Sequence, residues 1–160
     1  MINDIYFTRK YGLLNEKIED GVAEFFDFQS DYGRMTHSFI KRKIPTEIDN
    51  NQYFDIISPY GYGGPIIHNT TNRDALIEEF TVEFSKYCKN GNIVSEFIRF
   101  HPLYSNQQDL EDLYDLQLIR KTVGTNLFDF EDPFQEEFSK STRKMVRKLL
   151  RDSKISYQVN

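Results

Sequence analysis

The residues best suited to chemistry lie in Ser58-Pro59-Tyr60-Gly61-Tyr62-Gly63-Gly64-Pro65, where three glycines and two tyrosines follow the apolar pair Ile56-Ile57. Glycine lets main-chain N–H groups come close to a ligand, and tyrosine adds hydroxyls and ring faces for a nucleotide, sugar or peptide group. A well-marked helix is predicted soon after, and its positive end favours phosphate or carboxylate. The spacing is neither Gly-x-Gly-x-x-Gly nor a glycine loop closed by Lys-Ser/Thr, so no particular nucleotide is named. Gly and Pro also gather wherever a chain turns, and on local sequence alone a tight bend between two elements is the favoured reading of the same residues.

Two further groups carry charge. Period-two alternation puts Arg99 and His101 on one side of a strand, with Glu96, Ile98 and Phe100 on the other. A guanidinium beside an imidazole suits an anionic substrate, and His101 is a candidate for proton transfer. The structural alternative is that Arg99 pairs with an acidic neighbour and His101 caps the strand before Pro102. Near the C-terminus, Lys140, Arg143, Lys144, Arg147, Lys148, Arg151 and Lys154 face a single acid, Asp152. Arg143, Arg147 and Arg151 recur every four residues, a helical stripe able to meet successive phosphates, or else a solvated face that complements the helix dipole. Lys41, with Arg42 and Lys43 at a strand end, could reach an anionic acceptor.

Other chemistries find little support. His37, His68, His101 and Cys88 lack the short spacings of a zinc site, and no serine sits in a nucleophile elbow. Cys88 falls at an apolar position of a predicted helix, and one cysteine cannot form an intrachain disulfide. The net charge of −5 over 160 residues opposes a whole-surface preference for nucleic acid or anionic lipid while leaving room for a local basic patch. No apolar run is long enough to span a membrane and no secretion signal opens the chain, so a cytoplasmic location is expected. The length fits one core, and 14 Phe and 10 Tyr with no Trp imply a core filled by rings.

The elements that must position these groups follow from periodicity. A short extended piece leads into a helix carrying Tyr11, Leu14 and Ile18 on one side. Segments 22–29 and 34–43 alternate around the turn Ser30-Asp31-Tyr32-Gly33, predicting a hairpin, and 53–57 is a third strand ended by Pro59. The spacing predicts a helix over 73–90, with Leu76, Ile77, Phe80, Phe84, Tyr87 and Cys88 as its apolar stripe, a Thr71/Asp74 capping box and an Asn90-Gly91 stop. Strands are expected at 93–100 and 113–123, joined by a solvated acidic and amide-rich loop. Asp132-Pro133 opens a further helix with Phe134, Phe138, Met145 and Leu149 on one face, and 155–159 is a last strand. The fold class is α+β, a mixed and largely antiparallel sheet flanked by helices.

Four stretches then coincide: Ser38-Phe39-Ile40-Lys41-Arg42-Lys43-Ile44, the loop 58–65, Glu96-Phe97-Ile98-Arg99-Phe100-His101-Pro102-Leu103, and Ser139-Lys140-Ser141-Thr142-Arg143-Lys144-Met145-Val146-Arg147-Lys148. In that order they resemble the Fem-type branch of the GNAT acyltransferase superfamily, which includes peptidoglycan interpeptide-bridge aminoacyltransferases. The resemblance implies a GNAT-like domain over 1–131, the basic linking helix over 132–154, and at 155–160 a strand of a second half. Similar proteins carry two such halves, with the donor and much of the machinery associated with the second. The expectation is a half-length acyl- or aminoacyltransferase acting on an amine of a cell-envelope precursor, or a non-catalytic module that pairs with itself or with a separate second half. It further implies acyl-coenzyme A or aminoacyl-tRNA as donor, no covalently bound cofactor, and an anionic or nucleotide-linked substrate near Tyr60, Gly61, Tyr62, Gly63, Gly64, Lys41, Arg99, Arg143 and Arg147. Such transfer needs no metal or nucleophilic side chain, because the amine attacks the donor ester directly.

Overall fold

The segments on either side of Ser30-Asp31-Tyr32-Gly33 form the expected hairpin: β1 (Val22–Ser30) pairs antiparallel with β2 (Gly33–Lys43), from Val22 opposite Lys41 to Ser30 opposite Gly33. The computed structural model describes residues 4–47, 49–124, 126, 128–152 and 156, folded as two units, 1–118 and 119–160. In the first unit β2 is the organising strand. Its C-terminal half pairs with β3 (Phe54–Ile57) and its N-terminal half, on the same edge, with β4 (Ile66–Thr70). β3 then pairs in parallel with β5 (Ile93–Phe97), giving a five-stranded, largely antiparallel sheet in an α+β fold.

Because β2 is buried on both faces, its side chains sort by parity. Met35 and Phe39 face α2 (Arg73–Asn90), joining Ile56, Leu76, Phe80, Phe84 and Leu110 in the core. Phe26 packs edge-on to Phe80, with ring centroids 5.7 Å apart, and Phe80 stacks on Phe84 at 5.6 Å. The ring-rich composition is thus concentrated under one helix, at the i, i+4, i+8 positions the periodicity predicts. That helix is capped by Asn72, whose Oδ1 accepts from Ala75 N at 3.3 Å, whereas the expected cap Thr71 turns its hydroxyl toward the carbonyls of Asp31 and Tyr32.

α1 (Arg9–Glu19) lies on the opposite face, but not by its predicted stripe. Gly12 and Asn15 are buried while Leu14 and Ile18 stay 71% and 67% exposed. The contact surface explains this: a Cβ on Gly12 would come within 3.2 Å of Ser38 Oγ and 3.3 Å of Ala23 Cβ, so only a bare helix flank fits that closely. Polar ties secure it, with Glu16 Oε1 accepting from Ala23 N at 2.9 Å.

Four other expectations are corrected. β4 was unforeseen, because a five-residue strand with two adjacent isoleucines shows no alternation. The strand expected at 113–123 makes no ladder among the described residues; its apolar side chains, such as Leu118 and Val123, are exposed, and alternation cannot form a strand without an edge to pair with. Residues 106–110, expected as solvated loop, instead form a 3₁₀ turn (Asn106–Asp109) that buries Asn106 and Leu110. In the second unit Asp132 caps and Pro133 starts α3 as predicted, yet α3 ends at Glu136. Ser139 caps a separate helix, α4 (Lys140–Leu150), by accepting from Thr142 N at 3.2 Å, so 132–154 is not one helix. The strand expected over 155–159 lies outside the described residues apart from Ser156.

Candidate functional site

The loop 58–65 leaves β3 and runs beside the segment following β5. Ser58 N donates to Phe97 O at 3.1 Å, Arg99 N to Ser58 Oγ at 3.1 Å, and Gly63 N to Arg99 O at 2.8 Å. Asn106, itself buried, donates through Nδ2 to Gly63 O at 3.1 Å and Pro65 O at 3.0 Å and accepts from His101 N at 3.3 Å. The glycines serve close packing. Gly61 and Gly64 both have φ of 96°, and a Cβ there would lie 2.4 Å from the Tyr6 ring or 3.0 Å from Ile98 and Phe100. Gly63 and Gly64 are buried, and the chain passes from Pro65 into β4 rather than into a helix. The five residues of β4 separate the loop from the N-terminus of α2, which removes the argument from a helix start directly after the loop for an anion there.

What the loop does present is aromatic. Tyr60 is 64% exposed, and its carbonyl accepts from the Tyr11 hydroxyl at 2.9 Å. Tyr6 packs edge-on against Tyr11 (5.1 Å between centroids) and Tyr62 (5.4 Å). Burial, then the proximity of Tyr11 and Asp4, pushes the Tyr6 hydroxyl above its ordinary pKa, so it remains a donor at neutral pH. Tyr6, Tyr11 and Asn106 escaped the sequence reading because nothing local marks them. The packing of α1 on the sheet brings Tyr6 and Tyr11 to the loop, and the return of the chain past β5 brings Asn106.

β5 ends at Phe97, short of the expected Phe100, so Arg99 and His101 lie beyond the strand, and each is held by an acid. His101 is buried, its Nδ1 accepts from Leu103 N (3.2 Å) and Tyr104 N (3.3 Å), and its Nε2 lies 3.3 Å from Asp4 Oδ2. With Nδ1 accepting, the ring proton sits on Nε2 toward Asp4, so both nitrogens have structural partners. Arg99 Nη2 is 3.2 Å from Glu19 Oε1 and donates to Ser58 O at 3.2 Å. Lys41 is on the α2 face instead, 3.8 Å from Glu24 Oε1 and 4.4 Å above the Phe54 ring. The structure does not bring it to Arg99. Arg143 and Arg147 belong to the second unit: Arg143 Nη1 donates to Phe138 O at 2.7 Å and also to Gln135 O, and Arg147 Nη2 donates to Gln135 Oε1 at 2.7 Å. These two arginines fasten α4 to α3.

A polar centre that sequence reading missed lies on the α2 side. His37 Nε2 sits 2.6 Å from Glu96 Oε1, and the Tyr114 hydroxyl donates to Glu96 Oε2 at 2.8 Å. His37 is buried, with no partner at Nδ1. Glu96 and Tyr114 line a groove of about 290 Å³ that also includes Phe84, Cys88 and Leu110. His37 and Glu96 come from β2 and β5, with β3 between them, so only the sheet order reveals the pair. Burial, then Glu96, pushes the Cys88 thiol from 9.0 up to about 11. Burial also raises the Tyr114 and Tyr87 hydroxyls, assisted by Glu96 and Glu24 respectively. No cluster of three metal-ligating side chains occurs among the described residues.

Above pH 9 the unfolded chain loses its thiol proton first while the folded chain keeps it to about pH 11, so stability falls as pH rises through that window. Urea midpoints measured from pH 8 to 11 should decline, and Cys88→Ala should flatten part of the slope. An unchanged midpoint would contradict this burial. No helix among the described residues is long and apolar enough to cross a membrane. No protein-family model, curated protein or solved structure matches the chain.

Proposed function

We propose that this chain is the binding half of a Fem-type acyl- or aminoacyl-transfer system, recognising a cell-envelope acceptor while the chemistry is completed by another half. One observation carries the reading. The loop 58–65 holds Tyr60 at the surface, with Tyr62 half-buried against Tyr6 and His101, on a hydrogen-bonded base, whereas Arg99 and His101 beside it are already paired with Glu19 and Asp4. Such a rim suits stacking and hydrogen bonding to a sugar or peptide, with no group left to move a proton.

The test uses the chain's own fluorescence, since it has 10 Tyr and no Trp. Coenzyme A thioesters, charged tRNA and nucleotide-linked muropeptide are titrated in turn. The muropeptide should quench tyrosine emission without turnover, and Tyr60→Ala should weaken its binding by about 1 kcal/mol, roughly fivefold. Binding by none of the three, or turnover by the isolated chain, would refute the proposal.

A second reading, assembly through α1, is favoured by one specific feature. Tyr11, Leu14 and Ile18 continue the tyrosine rim as an outward apolar stripe, joined by exposed Leu13 and Val22. Patches of this kind mark interaction surfaces. If the chain self-associates, sedimentation should show a dimer that Leu14→Asp with Ile18→Asp returns to monomer, with unit melting behaviour preserved because both positions face solvent. A dimer indifferent to those changes would exclude this face.

A further inference from the structure

α4 divides its surface cleanly. At about 100° per residue, Lys140, Arg143, Lys144, Arg147, Lys148 and Arg151 fall on one side, and Met145, Val146, Leu149 and Leu150 on the other. No acidic residue occurs between Glu137 and Asp152, although the whole chain carries −5. Met145, Leu149 and Leu150 remain 58%, 45% and 59% exposed. Within the second unit no described side chain is fully buried, so the apolar side of α4 has no core to join.

Three occupants can be weighed. A second copy of α4, packed apolar side to apolar side, would turn both cationic rows outward and leave them with nothing to neutralise them. A phosphate chain of RNA would meet the basic side and leave the apolar side wet. The residues best shaped for bidentate phosphate capture, Arg143 and Arg147, are also fastened to α3 through the Phe138 and Gln135 carbonyls and the Gln135 side chain. An anionic bilayer satisfies both sides together. The exposed apolar side chains enter the acyl boundary, while Lys140, Lys144 and Lys148, which make no ion pair among the described residues, extend their stems toward lipid headgroup phosphates.

We infer that α4 docks the chain on an anionic membrane surface, its axis in the plane of the headgroups. The helix is roughly 16 Å long, too short to cross a bilayer and long enough to lie on one. The inference is independent of acceptor recognition by the tyrosine rim, because it uses only the second unit.

The test is co-sedimentation of the full chain with vesicles of phosphatidylglycerol and phosphatidylcholine in equal parts, against phosphatidylcholine alone. Binding is expected only to the anionic vesicles and should weaken as salt rises. Lys144→Gln with Lys148→Gln should weaken it about thirtyfold, at two surface charges lost. Met145→Gln with Leu149→Gln should abolish the binding that persists at high salt. All four positions are exposed, and circular dichroism of the variants checks that the helix persists. Absence of binding to anionic vesicles, or equal binding to neutral ones, would overturn the inference. So would indifference to the apolar pair combined with displacement by single-stranded RNA, which would reassign the basic side to nucleic acid.

Discussion

Phe39→Ala should lower the stability of the first unit by about 4 kcal/mol, the range for a phenyl ring removed from a rigid core. Phe39 is fully buried in β2, with its ring 5.9 Å from Phe84 and 5.0 Å from His37 between centroids. Its neighbours are held by the sheet register on one side and by α2 on the other, so the site cannot collapse onto the space left behind. A loss of that size is a large fraction of the 5–15 kcal/mol that ordinary domains possess. The unit is then partly unfolded at moderate urea. Leu14→Ala supplies the contrast: an equally apolar residue that faces solvent should change stability by no more than about 0.5 kcal/mol. Chemical denaturation of both variants settles the matter, and similar losses for the two would mean that the assignment of buried and exposed faces is wrong.

Asn106→Leu is expected to cost about 3 kcal/mol, with a mechanism of its own. One amide joins three main-chain groups: it donates to the carbonyls of Gly63 and Pro65 and accepts from the N–H of His101. Leucine matches its size but leaves all three buried groups unpaired, and each carries a desolvation penalty of about 1 kcal/mol or more. The loop 58–65 should loosen with it. Hydrogen exchange at Gly63 N–H, which is held by Arg99 O, should accelerate, while exchange in α2 should change only through the global loss. Uniform acceleration everywhere, or none at Gly63, would show that Asn106 does not secure the loop.

How far the sequence could be read depends on whether an element's signal is local. The β1–β2 hairpin and α2 were legible because alternation, turn chemistry and a four-residue ring spacing are written within a few neighbouring residues. α1 misled because its apolar stripe was the stronger pattern, yet the sheet face it meets, Ser38 and Ala23, admits only Gly12 and small polar contacts. The loop 58–65 offered two roles, main-chain anion site or bend. Tyr6, Ile98, Phe100 and Asn106 packing against its glycines favour the close-packed bend.

By itself the sequence determined the α+β class, the ring-filled core beneath α2, the single cysteine within that helix, and the cationic character of 140–151. These rest on composition and on contacts between near neighbours along the chain. Only the tertiary structure decided that β4 completes the edge of β2, that His37 meets Glu96 across β3, that Asp4 and Glu19 hold His101 and Arg99, and that Lys41 lies on the other face from Arg99. The reason is physical. Each of those pairings joins residues far apart in the chain, and their meeting depends on strand order and register, which no short-range pattern encodes.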